Sequence, residues 1–344
     1  MDYCSQNYSP IYSNDHMRII LFIFCFFPIA LYSQQNQPVL DTVLSNYKYP
    51  FPVQSIYLGG QAEVQMAYMD VQPAANSNNK TVLLLHGKNF NGAYWKTTID
   101  ALTMKGFRVI VPDQVGFGKS SKPVKYQYSF QQLAQNTKVL LDSLKIKKIH
   151  LLGHSMGGML ATRFTLMYPA MVDKLVLENP IGLEDWKTMV PYTSISESYT
   201  TELKQDYETV KKYQLENYYD GKWKPAYDEW VYLLTGWVKH PAYPVVAWNN
   251  ALTSDMVFTQ PVLYEFNRIK SPTLLIIGTR DRTAIGKQNA TAEVKKTMGQ
   301  YQILGKATQQ KIKGSQLVEL DNVGHLPHIE AFEKFIVPLL QFLK

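Results

Sequence analysis

Gly153-His154-Ser155-Met156-Gly157 lies between two segments of opposite character, and that placement constrains the chain more than any other stretch. Ahead of it, Lys148-Ile149-His150-Leu151-Leu152 has the apolar character of a short buried strand. Behind it, Gly157 to Phe164 opens an apolar helical pattern. A strand that turns into a helix within one residue holds that residue in a strained conformation and pushes its side chain out above the sheet. Glycine suits 153 and 157, because a side chain there would meet the adjoining strand or helix. A serine in such a turn is commonly a helix cap. To be a nucleophile it needs partners from elsewhere in the chain.

The strand-to-helix rhythm repeats. Residues 54–58 and 63–68 flank Gly59-Gly60 as a hairpin. Residues 81–85, 107–111, 174–178, 273–277 and 316–320 are short apolar runs of the kind buried on both faces of a parallel sheet. Helical patterns separate them: 95–105, stopped by Gly106; 130–144; the helix after Ser155, up to Tyr168-Pro169; and a closing helix with Phe332, Phe335, Ile336, Leu339 and Leu340. This alternation predicts an α/β fold, a mostly parallel central sheet flanked by helices. It breaks after Gly182, where no apolar strand is evident and aromatics such as Trp186, Tyr213, Tyr218, Tyr219, Trp223 and Trp230 crowd the chain. That block reads as an inserted helical lid. The expected organisation is an N-terminal extension and signal segment at 1–33, a core of 34–182 and 267–344, and a lid of 183–266.

Composition narrows the class. With 46% hydrophobic and 18% charged residues in 344, the chain is globular and can hold one large α/β domain with an insertion. The net charge of +7 comes from lysines scattered in pairs such as Lys147-Lys148 and Lys295-Lys296, so a solvated surface is expected and nucleic acid is not the partner. Residues 17–33 have the pattern of an export signal: Met17-Arg18, an apolar run from Ile19 to Leu31, then Ser33 before polar Gln34. That run of about 13 residues is shorter than the roughly 18–20 needed to cross a bilayer. The expectation is a cleavable signal peptide starting at Met17, a periplasmic or secreted protein, and no stable membrane anchor. Both cysteines, Cys4 and Cys25, fall in the segment that would be removed, leaving no disulfide and no cysteine nucleophile.

A reactive serine needs a base, a group to orient that base, and donors for the oxyanion. Candidates lie just past the ends of predicted strands, where open α/β sheets place ligands. Ser155 follows the strand ending at Leu152, Asp281 follows Ile277-Gly278-Thr279-Arg280, and His325 closes Asp321-Asn322-Val323-Gly324-His325. Glu178, at another strand end, is an alternative acid. Among the other histidines, His86 and His154 are expected to hold loops, His150 lies in a strand, His240 in the lid, and His328 opens the last helix. Gly116-Phe117-Gly118-Lys119-Ser120 hints at a phosphate loop, but Asp113 stands where that motif needs glycine. The histidines are not spaced as metal-ligand pairs, and no metal or organic cofactor is expected.

Five landmarks now stand together: His86-Gly87 with Trp95 downstream, Pro112 to Ser120, Gly153 to Gly158, Gly278 to Asp281, and Gly324-His325. From about residue 50 onward the chain resembles the α/β-hydrolase-fold serine hydrolases, esterase- and lipase-like members included, whose triad runs in the order Ser, Asp, His. The resemblance implies Ser155 as nucleophile, His325 as base and Asp281 as acid. It also implies oxyanion N–H groups from Lys88 and Met156, with Asn89 and Phe90 sharing the first of those loops. Haloalkane dehalogenases of this fold carry their acid at the position of Glu178, but they and the epoxide hydrolases use a carboxylate nucleophile where this chain has Ser155. The spacing from Asp281 to His325 is longer than usual for the family and implies an insertion around 295–313. The expected activity is cleavage of a carboxylic ester or related acyl bond in a small molecule, through an acyl-enzyme. A proline-iminopeptidase-like peptidase, a C–C bond hydrolase and a non-catalytic ligand-binding protein are the alternatives.

Overall fold

The computed structural model describes Met1 and residues 38–59, 64–74 and 76–344; the expected export segment and the turn of the first hairpin lie outside the described residues. Eight strands among these form one sheet: β1 (Val53–Leu58), β2 (Val64–Val71), β3 (Thr81–Leu85), β4 (Arg108–Pro112), β5 (Ile149–His154), β6 (Val172–Glu178), β7 (Thr273–Gly278) and β8 (Gln316–Leu320). Their spatial order is β1-β2-β4-β3-β5-β6-β7-β8. β2 pairs antiparallel with both β1 and β4, and every pairing from β4 to β8 is parallel. All residues of β5 and β7 are buried, as strands covered on both faces must be, whereas the edge strands β1 and β8 are half-buried or exposed at all but their last residues.

The helices are α1 (Lys96–Thr103), α2 (Phe130–Ser143), α3 (Met156–Met167), α4 (Ile195–Glu202), α5 (Tyr207–Asn217), α6 (Asp228–Thr235), α7 (Tyr243–Thr259), α8 (Ala292–Thr297), α9 (Tyr301–Lys311), α10 (Pro327–Glu330) and α11 (Phe332–Leu343). Two apolar cores follow from the period-2 alternation of the strands. Leu83, Leu151, Leu175, Leu177, Leu275 and Ile277 pack with Leu133 of α2 and Phe164 of α3. Val82, Leu84, Leu152, Val176, Leu274 and Ile276 pack with Leu102 of α1 and Phe335 of α11 on the other face. Truncating one such leucine to alanine costs about 2–5 kcal/mol. The segment read as an insertion between Asp281 and His325 forms α8 and α9, and α9 packs on β7 and β8.

Between β6 and β7 the chain is helical, with α4 against α7 and α5 against α6. Much of its aromatic content is internal packing: Tyr219 stacks on Tyr227 at 3.7 Å between ring centroids, and Trp223 meets both edge-on. Residues 38–49 bind this lid to the core. On the lid side Leu40 N donates to Gly236 O (2.9 Å), Tyr232 Oη to Pro38 O (2.7 Å) and Trp237 Nε1 to Asp41 O (2.6 Å). On the core side Tyr49 Oη donates to Asp113 Oδ2 (2.6 Å) and Lys119 Nζ to the carbonyl of Leu44. Leu40 and Leu44 are buried in the joint.

Candidate active site

Ser155 occupies the one-residue turn between β5 and α3 with φ 57° and ψ −122°, a region that L-residues enter only under constraint. The constraint is the two glycines. A Cβ on Gly153 would overlap the carbonyl of Gly157, and one on Gly157 would overlap the carbonyl of Leu85. Ser155 makes no side-chain cap to α3, so its hydroxyl is left for other partners.

Those partners come from two other strand ends. His325 Nε2 lies 3.0 Å from Ser155 Oγ, and His325 Nδ1 lies 2.7 Å from Asp281 Oδ2. A carboxylate can only accept, so Nδ1 carries the proton and Nε2 is the acceptor for the serine hydroxyl. Asp281 is fully buried, which would push its pKa up. The electrostatic interaction with the His325 imidazole and hydrogen bonds from His325, Asn179 and Thr283 outweigh that, and the net shift is downward. Asn179 Nδ2 donates to Asp281 Oδ2 at 2.7 Å and Thr283 N to Oδ1 at 2.8 Å, while Asn179 Oδ1 accepts from Gly278 N at 2.8 Å. Sequence reasoning missed Asn179, although it ends a strand just as the residues it did select do.

The loop expected to supply an oxyanion donor, here called the oxyanion loop, follows β3. Phe90 N closes a turn onto Gly87 O (3.1 Å), and His86 braces it, donating from Nδ1 to Gly87 O (2.8 Å) and accepting at Nε2 from Gln114 N (3.0 Å). Burial lowers the pKa of His86 and keeps it in this neutral form. The N–H groups of Lys88 and Met156 bond to no other described residue. Met156 is also the first residue of α3, where the helix dipole favours negative charge. A second brace runs through side chains. Gly87 N donates to Tyr94 Oη (2.9 Å), Tyr94 Oη donates to His154 Nδ1 (3.0 Å), and His154 Nε2 donates to His325 O (2.7 Å).

Glu178 is not placed to serve as the acid. Its Oε1 accepts from His328 Nδ1 (2.8 Å) and His328 N (3.0 Å), and the His328 ring stacks on Trp95. Glu178 and Asn179 are consecutive, so their side chains diverge, and only Asn179 reaches the triad. Of the remaining histidines, His150 lies 3.3 Å from Asp173, and His240 accepts from Ala242 N at 3.1 Å. Asp113 earns its place in the would-be phosphate loop by accepting from Gly92 N (2.7 Å) and Lys119 N (2.7 Å).

The lid contributes two polar contacts to the oxyanion loop. Lys88 Nζ lies 3.8 Å from Glu202 Oε1, and Asn89 Nδ2 is 3.4 Å from the hydroxyl of Tyr218, whose ring stacks on His325. Among the described residues no three His, Cys, Asp or Glu side chains gather as metal ligands, and no helix is long and apolar enough to cross a membrane.

Sheet order, lid position and this constellation define an α/β-hydrolase, and comparison with known proteins agrees. The chain belongs to the α/β-hydrolase fold family, whose sequence model matches residues 80–220. A crystal structure of a probable hydrolytic enzyme from Pseudomonas aeruginosa PAO1 is 49% identical, with a TM-score of 0.88 over 89% of this chain and 99% of that one. A meta-cleavage product hydrolase from Pseudomonas fluorescens IP01 is 25% identical, with a TM-score of 0.55 over 84% of this chain and 97% of that one. A 2-hydroxy-6-oxononadienedioate/2-hydroxy-6-oxononatrienedioate hydrolase from Paraburkholderia xenovorans is 39% identical over 122 residues, 34% of this chain and 40% of that protein. The chain thus spans about 40% of the length of the curated relatives it matches.

Proposed function

We propose that the protein is a serine hydrolase that attacks a carbonyl carbon of a small oxo compound, and that it cleaves the adjacent C–C bond. The observation that carries the hydrolase reading is the continuous chain Ser155–His325–Asp281, at 3.0 and 2.7 Å, beside two unengaged backbone N–H groups. Ser155 Oγ adds to the carbonyl while its proton passes to His325 Nε2, and Asp281 stabilises the imidazolium. The oxyanion forms opposite the N–H groups of Lys88 and Met156. Collapse breaks the bond to the leaving carbon, which departs as an enolate stabilised by its own carbonyl and takes the proton from His325. Water, deprotonated by His325, then releases the carboxylic acid and restores Ser155.

The preference for C–C cleavage over ester cleavage rests on those matching relatives that are named 2-hydroxy-6-oxononadienedioate/2-hydroxy-6-oxononatrienedioate hydrolases and on the likeness to a meta-cleavage product hydrolase; another matching relative is a putative carbamate hydrolase. The iminopeptidase alternative needs a lid carboxylate free to hold a substrate amine. Glu202 is paired with Lys88, Asp228 with Lys211, Glu229 with Tyr47, and Glu184 accepts from Gly299 N and Trp186 Nε1.

The test is a paired assay on the purified protein and its Ser155→Ala variant. A 2-hydroxy-6-oxo dienedioate is followed by loss of its conjugated chromophore, and p-nitrophenyl esters by release of nitrophenolate. Turnover of the dienedioate that disappears in the variant is the expected result. Turnover of the esters alone would restore the ester reading, and no fluorophosphonate labelling of Ser155 would leave a ligand-binding protein. Export through residues 17–33 is a separate part of the proposal, checked by sequencing the N-terminus of protein recovered from the producing cell's exterior or periplasm.

A further inference from the structure

Tyr218 belongs to the lid, yet it touches three of the loops around the site, those after β3, β7 and β8. It caps the C-terminus of α5, with its N–H donating to Gln214 O at 2.8 Å. Its carbonyl accepts from Arg280 Nη1 (3.4 Å), next to Asp281, and lies so close to Gly324 that a Cβ there would overlap it. Arg280 is ion-paired with Glu330, whose Oε2 accepts from Gly324 N at 2.8 Å, so the backbone around Tyr218 is held to the loops after β7 and β8 together. Its ring lies over the imidazole of His325, 5.0 Å between centroids and 25° from parallel. Its hydroxyl accepts from Asn89 Nδ2 (3.4 Å), one residue beyond Lys88 in the oxyanion loop. Tyr213 of the same helix packs edge-on against it at 5.4 Å.

We propose that Tyr218 is a positioning residue of the catalytic machinery, its ring fixing the plane of the His325 imidazole and its hydroxyl fixing Asn89 and thereby the oxyanion loop. The inference rests on the hydrolase reading above and assigns the lid a part in the chemical step. The imidazole must stay in line with both Ser155 Oγ and Asp281 Oδ2 while it gains a proton. A ring stacked on its face opposes rotation out of that line and favours the cation that forms. The hydroxyl bond gives the oxyanion loop and the base a common support, so neither moves alone. Because the two parts of one side chain serve two loops, the phenylalanine variant separates them.

The experiment uses the full protein and a fluorophosphonate, whose phosphorus is attacked by Ser155 Oγ with loss of fluoride and transfer of the serine proton to His325. Wild type, Tyr218→Phe, Tyr218→Leu, Asn89→Ala and the Tyr218→Phe/Asn89→Ala double variant are compared by their maximal phosphonylation rate and half-saturating probe concentration. Tyr218→Leu is expected to lower the maximal rate by about tenfold or more, with half-saturation changed by less than about threefold. Tyr218→Phe should recover most of that loss. Asn89→Ala should match Tyr218→Phe, and the double variant should add nothing to either. A Tyr218→Leu variant that only weakens half-saturation would make Tyr218 a wall of the substrate site and overturn the proposal. So would a Tyr218→Phe variant as slow as Tyr218→Leu. Where Tyr218→Leu does not fold, additive losses in the double variant would overturn it and equal, non-additive losses would uphold it. A wild-type Ser155 that takes no label would overturn the hydrolase reading and this inference with it, whereas labelling of Tyr218→Leu at the wild-type rate would overturn this inference alone.

Discussion

His154 donates through Nε2 to the backbone carbonyl of His325 at 2.7 Å, so the residue before Ser155, the proposed nucleophile, supports the loop of His325, the proposed base. Burial, followed by the charges of His325 and His328, holds the pKa of His154 well below the ordinary imidazole value. The ring therefore stays neutral, with Nδ1 free to accept from Tyr94. Replacing Tyr94 by phenylalanine strands Gly87 N–H and His154 Nδ1 in the interior. We expect a loss of about 1–3 kcal/mol in urea unfolding, together with a slower reaction at Ser155 as the oxyanion loop loosens. Unchanged unfolding and labelling rates would show that the relay carries nothing.

The two acids separate by substitution. Asp281→Asn presents an amide where the imidazole needs an acceptor, and kcat/KM should fall by about 10³–10⁴. Glu178→Gln acts on His328, not His325. Its expected effect is on stability, about 1–3 kcal/mol, with kcat/KM within about tenfold of wild type. A larger loss of activity from Glu178→Gln than from Asp281→Asn would reverse the assignment.

Asn179 gives a prediction that depends on pH. The pKa of Asp281 is lowered in the folded protein, so its contribution to stability is present above the unfolded carboxylate value of about 3.9 and is lost as pH falls through the lower folded value. Asn179→Ala removes one of the hydrogen bonds that lower it. Stability at pH 7 should drop, and the further drop on going from pH 5 to pH 2 should be smaller than in wild type. Urea midpoints across that range measure both. An unaltered acid slope would mean that Asn179 does not bear on the charge of Asp281.

Lys122 produces a slope of the same sign at higher pH. Its side chain is buried, donating to Gly118 O (2.7 Å) and Ser120 O (3.0 Å) above the Trp237 ring, and desolvation pushes its pKa down to about 7 despite the opposing charges of Asp113 and Asp41. The unfolded chain, with an ordinary lysine near pKa 10.4, binds the proton more tightly between those values, so this residue makes stability rise with pH from about 7 to about 10. Relative to Lys122→Met, wild type should gain stability between pH 6.5 and pH 9.5. Parallel unfolding curves for the two proteins over that interval would refute the assignment.

Much of the frame was legible because parallel strands buried on both faces leave unbroken apolar runs, and 81–85, 273–277 and 316–320 fall on or within one residue of strands in the structure. Ser155, Asp281 and His325, which the structure brings together, each lie a few residues past such a run. The choice between Glu178 and Asp281 was harder to read, since adjacent residues at a strand end face different ways and a register of one decides which meets His325. The lid gave a composition without a period. Tyr219 and Tyr227, which fill it, look the same in sequence as Tyr218, which reaches the centre. Residues 38–49 form a lead-in to β1 whose packing was not legible in the sequence, because the partners that bury Leu40 and Leu44 lie far along the chain, around Gly236 and Lys119.

That lead-in has a consequence for anyone who would exchange lids between relatives to alter substrate range. The transplantable unit is discontinuous: 183–266 carries the helices, but Pro38 and Asp41 supply acceptors for Tyr232 and Trp237, and Leu40 N donates to Gly236. A graft of the helices alone would leave these groups facing a foreign tether, while a chimera that also carries 38–49 keeps the joint intact.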